Sequence, residues 1–273
     1  MNSSLNLMRR LPPSASENSL AGLIEIAPQL TDELLTHVDQ PLKVHKDPKA
    51  GKYFVQCDYN RDGDSYRSPW SNEYFPPMAD GFLPSKRLRE LEVTANSLFD
   101  TYRKLYFEGG YSSAYFFETD EKDSDAFGAC FLIHKDVETA KSLKKGWWDS
   151  IHVFEVTPDK DNFFMYKLTT TVMISMVLTD DKVGNVDLSG LRTQQDSKRL
   201  ENSVESPHIA NMGKMLEDIE LRIRNAIEGI YIQKTREVIN GMRSATGKRD
   251  ADWGNIARDL NAAVYHHAAK KKE

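Results

Sequence analysis

Hydrophobic residues recur at helical spacing at both ends of the chain and at strand spacing between them. From Ser16 to Val38 the positions Leu20, Leu23, Ile24, Leu30, Leu34 and Leu35 predict two short helices that meet at Pro28. A third helix is predicted to begin near Pro84 and stop at Gly109, with Leu88, Leu91, Ala95, Leu98, Tyr102 and Leu105 on one face. From Tyr111 the period becomes two. Tyr115 to Glu118, Phe127 to His134, Trp148 to Val156 and Phe163 to Leu178 read as strands, and no helix-length segment separates them, so an antiparallel meander follows. Ile209, Met212, Leu216, Ile219, Ile223, Ala226 and Ile230 then alternate by three and four, a heptad seam on a helix from about 207 to 243. Such a seam fits a partner helix or the chain's own sheet, and one helix can serve both. Beyond the breakers at Ser244 to Gly247, Trp253, Ile256, Leu260 and Val264 share one side of a short amphipathic helix.

Between Asp39 and Pro84 neither period holds. Prolines at 69, 76, 77 and 84 and aromatic residues such as Tyr53, Phe54, Trp70 and Tyr74 predict an ordered loop region, because the rings need something to pack on. The fold class is therefore α+β: N-terminal helices, a central antiparallel sheet crossed by a long helix, and a C-terminal amphipathic helix. The body is expected over 1–247, with helices to about 108, the sheet at about 111–190 and the long helix at about 207–243. Residues 248–273 form a separate tail.

Length, charge and composition narrow the class. The chain has 273 residues, of which 40% are hydrophobic and 28% charged, enough for a real core and unlike a disordered chain. No stretch approaches a bilayer span and the start MNSSLNLMRRLPP lacks the apolar run of a secretory signal, so a cytoplasmic location is the expectation. The net charge of −5 argues against nucleic acid as a partner, although residues 248–273 carry a local excess of about +2. Cys57 and Cys130 are the only cysteines, too few for a disulfide scaffold or a zinc cluster, and both are expected to be packing residues.

Candidate chemistry is sparse. Asp58, Asn60, Asp62, Gly63 and Asp64 fall at calcium-loop positions, but the twelfth position is Pro69 instead of a bidentate glutamate, and SPWSNEYFPPM cannot form the exiting helix. An Asp-x-Asn-x-Asp-Gly string also suits a tight turn. Phosphate-binding glycine loops, HExxH and GxSxG are absent from the sequence. His266 and His267 diverge by about 100° on a helix, so they cannot share a metal. His152 and Glu155 lie on opposite faces of a strand, and no acid–base pair emerges. These residues point to a binding or assembly protein without cofactor or metal, not an enzyme.

The residues without a chemical reading carry a family resemblance. VDQPLKV (38–44), CDYNRDGDSYRSPWSNEY (57–74), LYFEGG (105–110), WDSIHV (148–153), YKLTTTVM (166–173), SPHIANMG (206–213) and the string from Ile230 to Ser244 resemble the beta subunit of the heterodimeric F-actin capping protein, in order along almost the whole chain. The resemblance implies an intertwined heterodimer with a homologous alpha subunit, a sheet continuous between the subunits, and capping of the actin barbed end in the cytoplasm and cytoskeleton, independently of calcium. It implies a dimer interface at Ile209, Met212, Leu216, Ile219, Ile223 and Ile230. The tail becomes the family's tentacle, with Trp253, Ile256, Arg258, Leu260 and Val264 for actin. Asp39, Asp58, Tyr59 and Arg61 match positions that receive basic capping-protein-interaction peptides; phosphoinositides are a further candidate regulator. The alternative reading is an assembly subunit whose alpha partner does most of the capping.

Overall fold

Five antiparallel strands carry the fold, in the order β10-β9-β8-β7-β6. The computed structural model describes residues 15–31, 34, 40–119, 125–139, 144–180, 184–205, 207–233, 236, 237 and 240. Contacts divide the chain into two units, Met1–Ile223 and Arg224–Glu273.

The first unit begins with α1 (Ser16–Ile26) and a 3-10 turn at Pro28–Leu30, where Leu20 and Leu34 are buried together against Leu23, Ile24 and Leu30. The helix breaks at Ala27, before the proline, as its spacing predicts. The region read as loop contains short strands. β1 (Lys43–Lys46) and β2 (Tyr53–Gln56) form a hairpin, and β3 (Arg61–Asp62), β4 (Ser65–Arg67) and β5 (Tyr74–Phe75) a three-stranded sheet. These strands are two to four residues long, too short for a period of two to show.

α2 (Lys86–Tyr106) follows, but its buried face differs from the predicted stripe. Leu88 and Ala95 are buried with Glu92, Asn96 and Phe99, while Leu98 is 57% exposed and Leu105 74%. The reason is polar. Asn96 and Glu92 hydrogen-bond the backbone of β6, which rolls α2 toward them and away from Leu98.

β6 (Tyr111–Glu118), β7 (Phe127–Thr139), β8 (Lys144–Pro158) and β9 (Phe163–Asp180) lie where alternation predicts strands. The fifth strand, β10 (Gly184–Glu201), extends the sheet past the expected limit near 190. Its sequence GNVDLSGLRTQQDSKRLE has too few apolar residues to announce a strand. Registry fixes two faces. Ala114, Phe131, His152, Thr170 and Gln194 lie in one row, and Tyr115, Cys130, Val153, Thr169 and Gln195 in the next row on the opposite face.

α2 and α3 (His208–Ile227) cover the first face, where Phe99 meets Phe131 edge-on at 5.2 Å and Phe154 is fully buried. The 40–75 region covers the second, through a core of Leu42, Val55, Tyr115, Cys130, Leu132, Ile151 and Met173 with Cys57 against it. In the second unit, the end of α3 passes into a π-helical turn at Glu228–Gln233, where Gly229 weakens the α-helical preference. The predicted boundary at 247 lies outside the described residues.

Candidate functional site

The 57–74 block is a hydrogen-bonded clasp. Asn60, 2% exposed, closes the 3-10 turn Asp58–Asn60 by accepting from the Cys57 amide at 2.8 Å, and donates to the Arg67 carbonyl at 2.8 Å. Arg67 makes a two-pronged pair with Glu92, both bonds 2.7 Å long, and its guanidinium also donates to Asn72 at 2.7 Å. Glu92 is fully buried, pairs with Arg89 as well, and accepts from the Phe116 amide at 2.9 Å. Three chain regions meet at this one carboxylate. Such a pair tolerates burial because every charge has partners.

Asp47 organises the other side of the clasp. It accepts from Ser68 Oγ at 2.6 Å and from the amides of Lys49 (2.8 Å), Ala50 (2.9 Å) and Ser71 (3.3 Å). Burial opposes its ionisation, but these donors outweigh burial and bring its pKa down to about 2. Trp70 donates to the Tyr53 carbonyl at 2.8 Å, tying the block to β2. Further along the same face, Asp149 accepts from the Leu42 amide at 2.8 Å and from His134 at 2.5 Å. Burial pulls the His134 pKa down, but the Asp149 carboxylate overcomes this and raises it above 6.5.

The calcium-like string sits inside this clasp. Asn60 is spent on backbone groups, Asp62 accepts from the Phe82 amide at 3.2 Å, and Gly63, at φ 56°, turns β3 into β4. Among the described residues no group of three or more His, Cys, Asp or Glu side chains could hold a metal. Of the predicted peptide-binding residues, Asp58 is exposed, and Tyr59 is 44% exposed and stacked on Phe117 at 5.3 Å. Arg61 is also exposed, and its Nε donates to the Gly63 carbonyl at 2.7 Å. Asp39 lies outside the described residues.

On the helix face, the heptad seam is buried within the chain itself. Met212, Leu216, Ile219 and Ile223 are 0–3% exposed, and Ile209 is half-buried. Side chains already without exposed surface have almost none left to bury against a partner. The side chain of Ile230 lies outside the described residues, as do Trp253, Ile256, Arg258, Leu260 and Val264. The seam's neighbours are polar contacts that the sequence does not signal. His152 faces Glu220 at 3.1 Å and Thr170 at 3.0 Å, all buried. His208 faces Tyr166 at 2.7 Å. Glu220 lies 68 residues from His152 in sequence, and only the packing of α3 on β8 brings them together.

The two edges of the sheet differ. On β6 the outward-facing backbone is sealed by α2: Asn96 accepts from the Ala114 amide at 2.9 Å and donates to its carbonyl at 2.8 Å, and Glu92 takes the Phe116 amide. On β10 the described residues supply no such seal until Glu201, whose carbonyl accepts from Asn211 at 2.8 Å. A strand edge that the described residues leave without such a seal is a template for another strand. α2 also leaves Leu98 and Leu105, seven residues apart on one flank, uncovered.

Comparison with known proteins fits this geometry. A family model described as F-actin capping protein, beta subunit, matches residues 1–239. The chain is 46% identical over 263 residues to an F-actin-capping protein subunit beta from Dictyostelium discoideum, covering 95% of each chain. It is 46% identical over 272 residues to the subunit beta of Drosophila melanogaster, covering 99% of this chain and 97% of the other. Among solved structures, a homodimeric actin capping protein alpha subunit from Plasmodium berghei shares the fold, with a TM-score of 0.55 at 14% identity over 89% of this chain and 95% of that one. With relatives this similar along nearly its whole length, the chain belongs to the F-actin capping protein beta subunit family.

Proposed function

We propose that this chain pairs with a capping protein alpha subunit through β10, and that the pair caps the barbed end of actin filaments independently of calcium, in the cytoplasm and cytoskeleton. The observation that supports the pairing most directly is the contrast between a sealed β6 edge and an open β10 edge. A homologous strand added at β10 would continue the sheet, and a partner helix beside α3 would cover Leu98 and Leu105. The chain's role is binding, not catalysis. The tail at 248–273, with Trp253, Ile256, Arg258, Leu260 and Val264, is the proposed contact with actin.

Registry supplies a sharp test of the pairing. Ala114 presents its backbone outward, and alternation across the paired rows makes Thr193 and Gln195 the β10 residues whose amides point away from β9. Thr193→Pro or Gln195→Pro should leave the chain folded yet weaken recovery of a co-expressed alpha subunit by tenfold or more. Gln194→Pro should instead damage the β9 ladder and the fold.

Capping is tested by barbed-end elongation from filament seeds with the co-expressed pair; unchanged elongation at micromolar protein would overturn it. The alternative assembly-subunit reading predicts that deleting residues 248–273 leaves both pairing and capping unaltered, whereas the favoured reading predicts intact pairing and much weaker capping. Exposed Asp58 and half-exposed Tyr59 support a regulatory role for the clasp, since a carboxylate and an accessible ring suit a basic peptide. Asp58→Lys should weaken binding of such a peptide without changing pairing. Phosphoinositides are a second proposed regulator, to be tested with vesicles.

A further inference from the structure

The first turn of α3 rests on the sheet through a histidine. His208 is the first residue of the helix and is 8% exposed. Three rings enclose it: Phe164 at 4.6 Å and Phe127 at 5.1 Å, both edge-on, and Tyr166 at 5.9 Å. Its one polar ring contact among the described residues is Nδ1, 2.7 Å from the Tyr166 hydroxyl. Asn211, one turn on, donates to the same hydroxyl oxygen at 3.3 Å and to the Glu201 carbonyl at the end of β10 at 2.8 Å. The Tyr166 oxygen accepts from Asn211, and the hydroxyl shares a second hydrogen bond with His208 Nδ1 whose donor is set by the imidazole tautomer.

That arrangement favours a neutral imidazole, because the ring is enclosed by aromatic side chains and no carboxylate is hydrogen-bonded to it among the described residues. Protonation would fix a hydrogen on Nδ1, so that the Tyr166 oxygen would have to accept from His208 and Asn211 together. Tyr166 would have to turn its own proton into the apolar cage. The charged groups around the cage also disfavour a cation. Arg87 of α2 lies over the Phe127 ring at 6.0 Å and repels imidazolium. Asp125, before β7, has the opposite effect but is itself paired with Arg87 at 3.0 Å. The helix start adds positive potential where His208 sits. Burial is the largest cause and Arg87 the next, and together they bring the His208 pKa from 6.5 down to about 4.

We propose that the N-terminal turn of α3 is a proton-operated latch, in which the caged neutral His208 holds the helix against β9 and acidification frees the turn. The sign is set by linkage. His208 in an opened turn binds a proton near the ordinary 6.5, whereas the docked form resists to about 4, so opening is favoured as pH falls between them. Because Asn211 joins the same turn to the end of β10, an open latch would loosen the strand proposed to receive the alpha subunit. That consequence rests on the proposed pairing; the latch itself does not.

The test is hydrogen exchange of residues 207–216 in the full chain, alone and co-expressed with the alpha subunit, corrected for the intrinsic effect of pH. From pH 7.5 to pH 5 the opening equilibrium should rise about thirtyfold, one proton being taken up on opening. His208→Gln, which keeps an acceptor for Tyr166 but cannot be protonated, should reduce that rise to less than threefold. A wild-type rise below threefold, or an equal rise in the variant, would overturn the latch. If His208→Gln does not fold, nuclear magnetic resonance of the His208 ring in the wild type decides. A ring still neutral at pH 5 supports the proposal, and a midpoint at or above 6.5 overturns it. Exchange requires neither actin nor a partner, so a failure of pairing or capping would be seen separately.

Discussion

The two faces of the five-stranded sheet are covered by different physical means. On the helix face, Met212, Leu216, Ile219 and Ile223 of α3 and Phe99 of α2 bury apolar surface over Phe131 and Phe154, with a few polar contacts set among them. On the other face, the 40–75 region adds directional bonds to its apolar core: Asn60 to Cys57 and Arg67, Asp47 to four donors, Asp149 to Leu42 and His134. The helix face is held mainly by area, which tolerates small shifts. The clasp depends on alignment, since a buried polar group left without its partner costs more than the bond contributed.

The difference extends to protonation. His208 on the helix face is held neutral, with its pKa lowered to about 4, while His134 on the clasp face is favoured as a cation by Asp149. The helix face therefore gains from His208 above the ordinary value of 6.5 and loses that gain as pH falls toward about 4. The clasp gains from His134 below 6.5 and loses it as pH rises through the raised value. One sheet is weakened on opposite faces by acid and by base.

The sharpest way to break the contrast is Glu92→Ala. It strands the Arg67 guanidinium and the Phe116 amide in the interior, with an expected loss of about 3–5 kcal/mol in urea unfolding. On the helix face Ile219→Ala should cost about 2–4 kcal/mol, while Ile219→Leu should cost less than about 1.5 kcal/mol because area is nearly conserved. If Glu92→Gln, which keeps the shape but loses the charge, costs no more than Ile219→Leu, alignment is not what holds the clasp. Next in size is the pH effect. Wild-type unfolding at pH 5 against pH 7.5 should show a His208 contribution of roughly 2 kcal/mol that His208→Gln lacks. His134→Asn should instead flatten the fall in stability on the alkaline side. The smallest expected effect is Tyr59→Ala, about 1 kcal/mol or less, because the ring is half exposed and contributes one stacking contact with Phe117.

Legibility in the sequence follows the same division. Helix positions and strands β7 to β9 could be read because each repeats a simple period over eight or more residues, whereas in β6 only 115–118 reads as a strand. β10 was not legible, since GNVDLSGLRTQQDSKRLE is polar on both faces. The clasp could be recognised as a family block but not understood: nothing local says that Asn60 is buried, or that Arg67 meets a carboxylate 25 residues away. The helix at 86–106 lies where its spacing predicts but buries a different face. Its apolar stripe runs through Leu98 and Leu105, yet Glu92 and Asn96 go inside, because they seal the backbone of β6.

By itself, the sequence determined the α+β class, the order of the principal helices and strands, and the family. Those follow from local periodicity and from blocks of residues that survive in order. Only the tertiary structure decided which surface the heptad seam covers, which edge of the sheet is closed, and which histidine meets which partner. Periodicity specifies that a side is apolar without naming what lies against it. Pairings such as His152 with Glu220, or Tyr166 with His208, join residues 68 and 42 positions apart and come into being only when α3 lies down on the sheet.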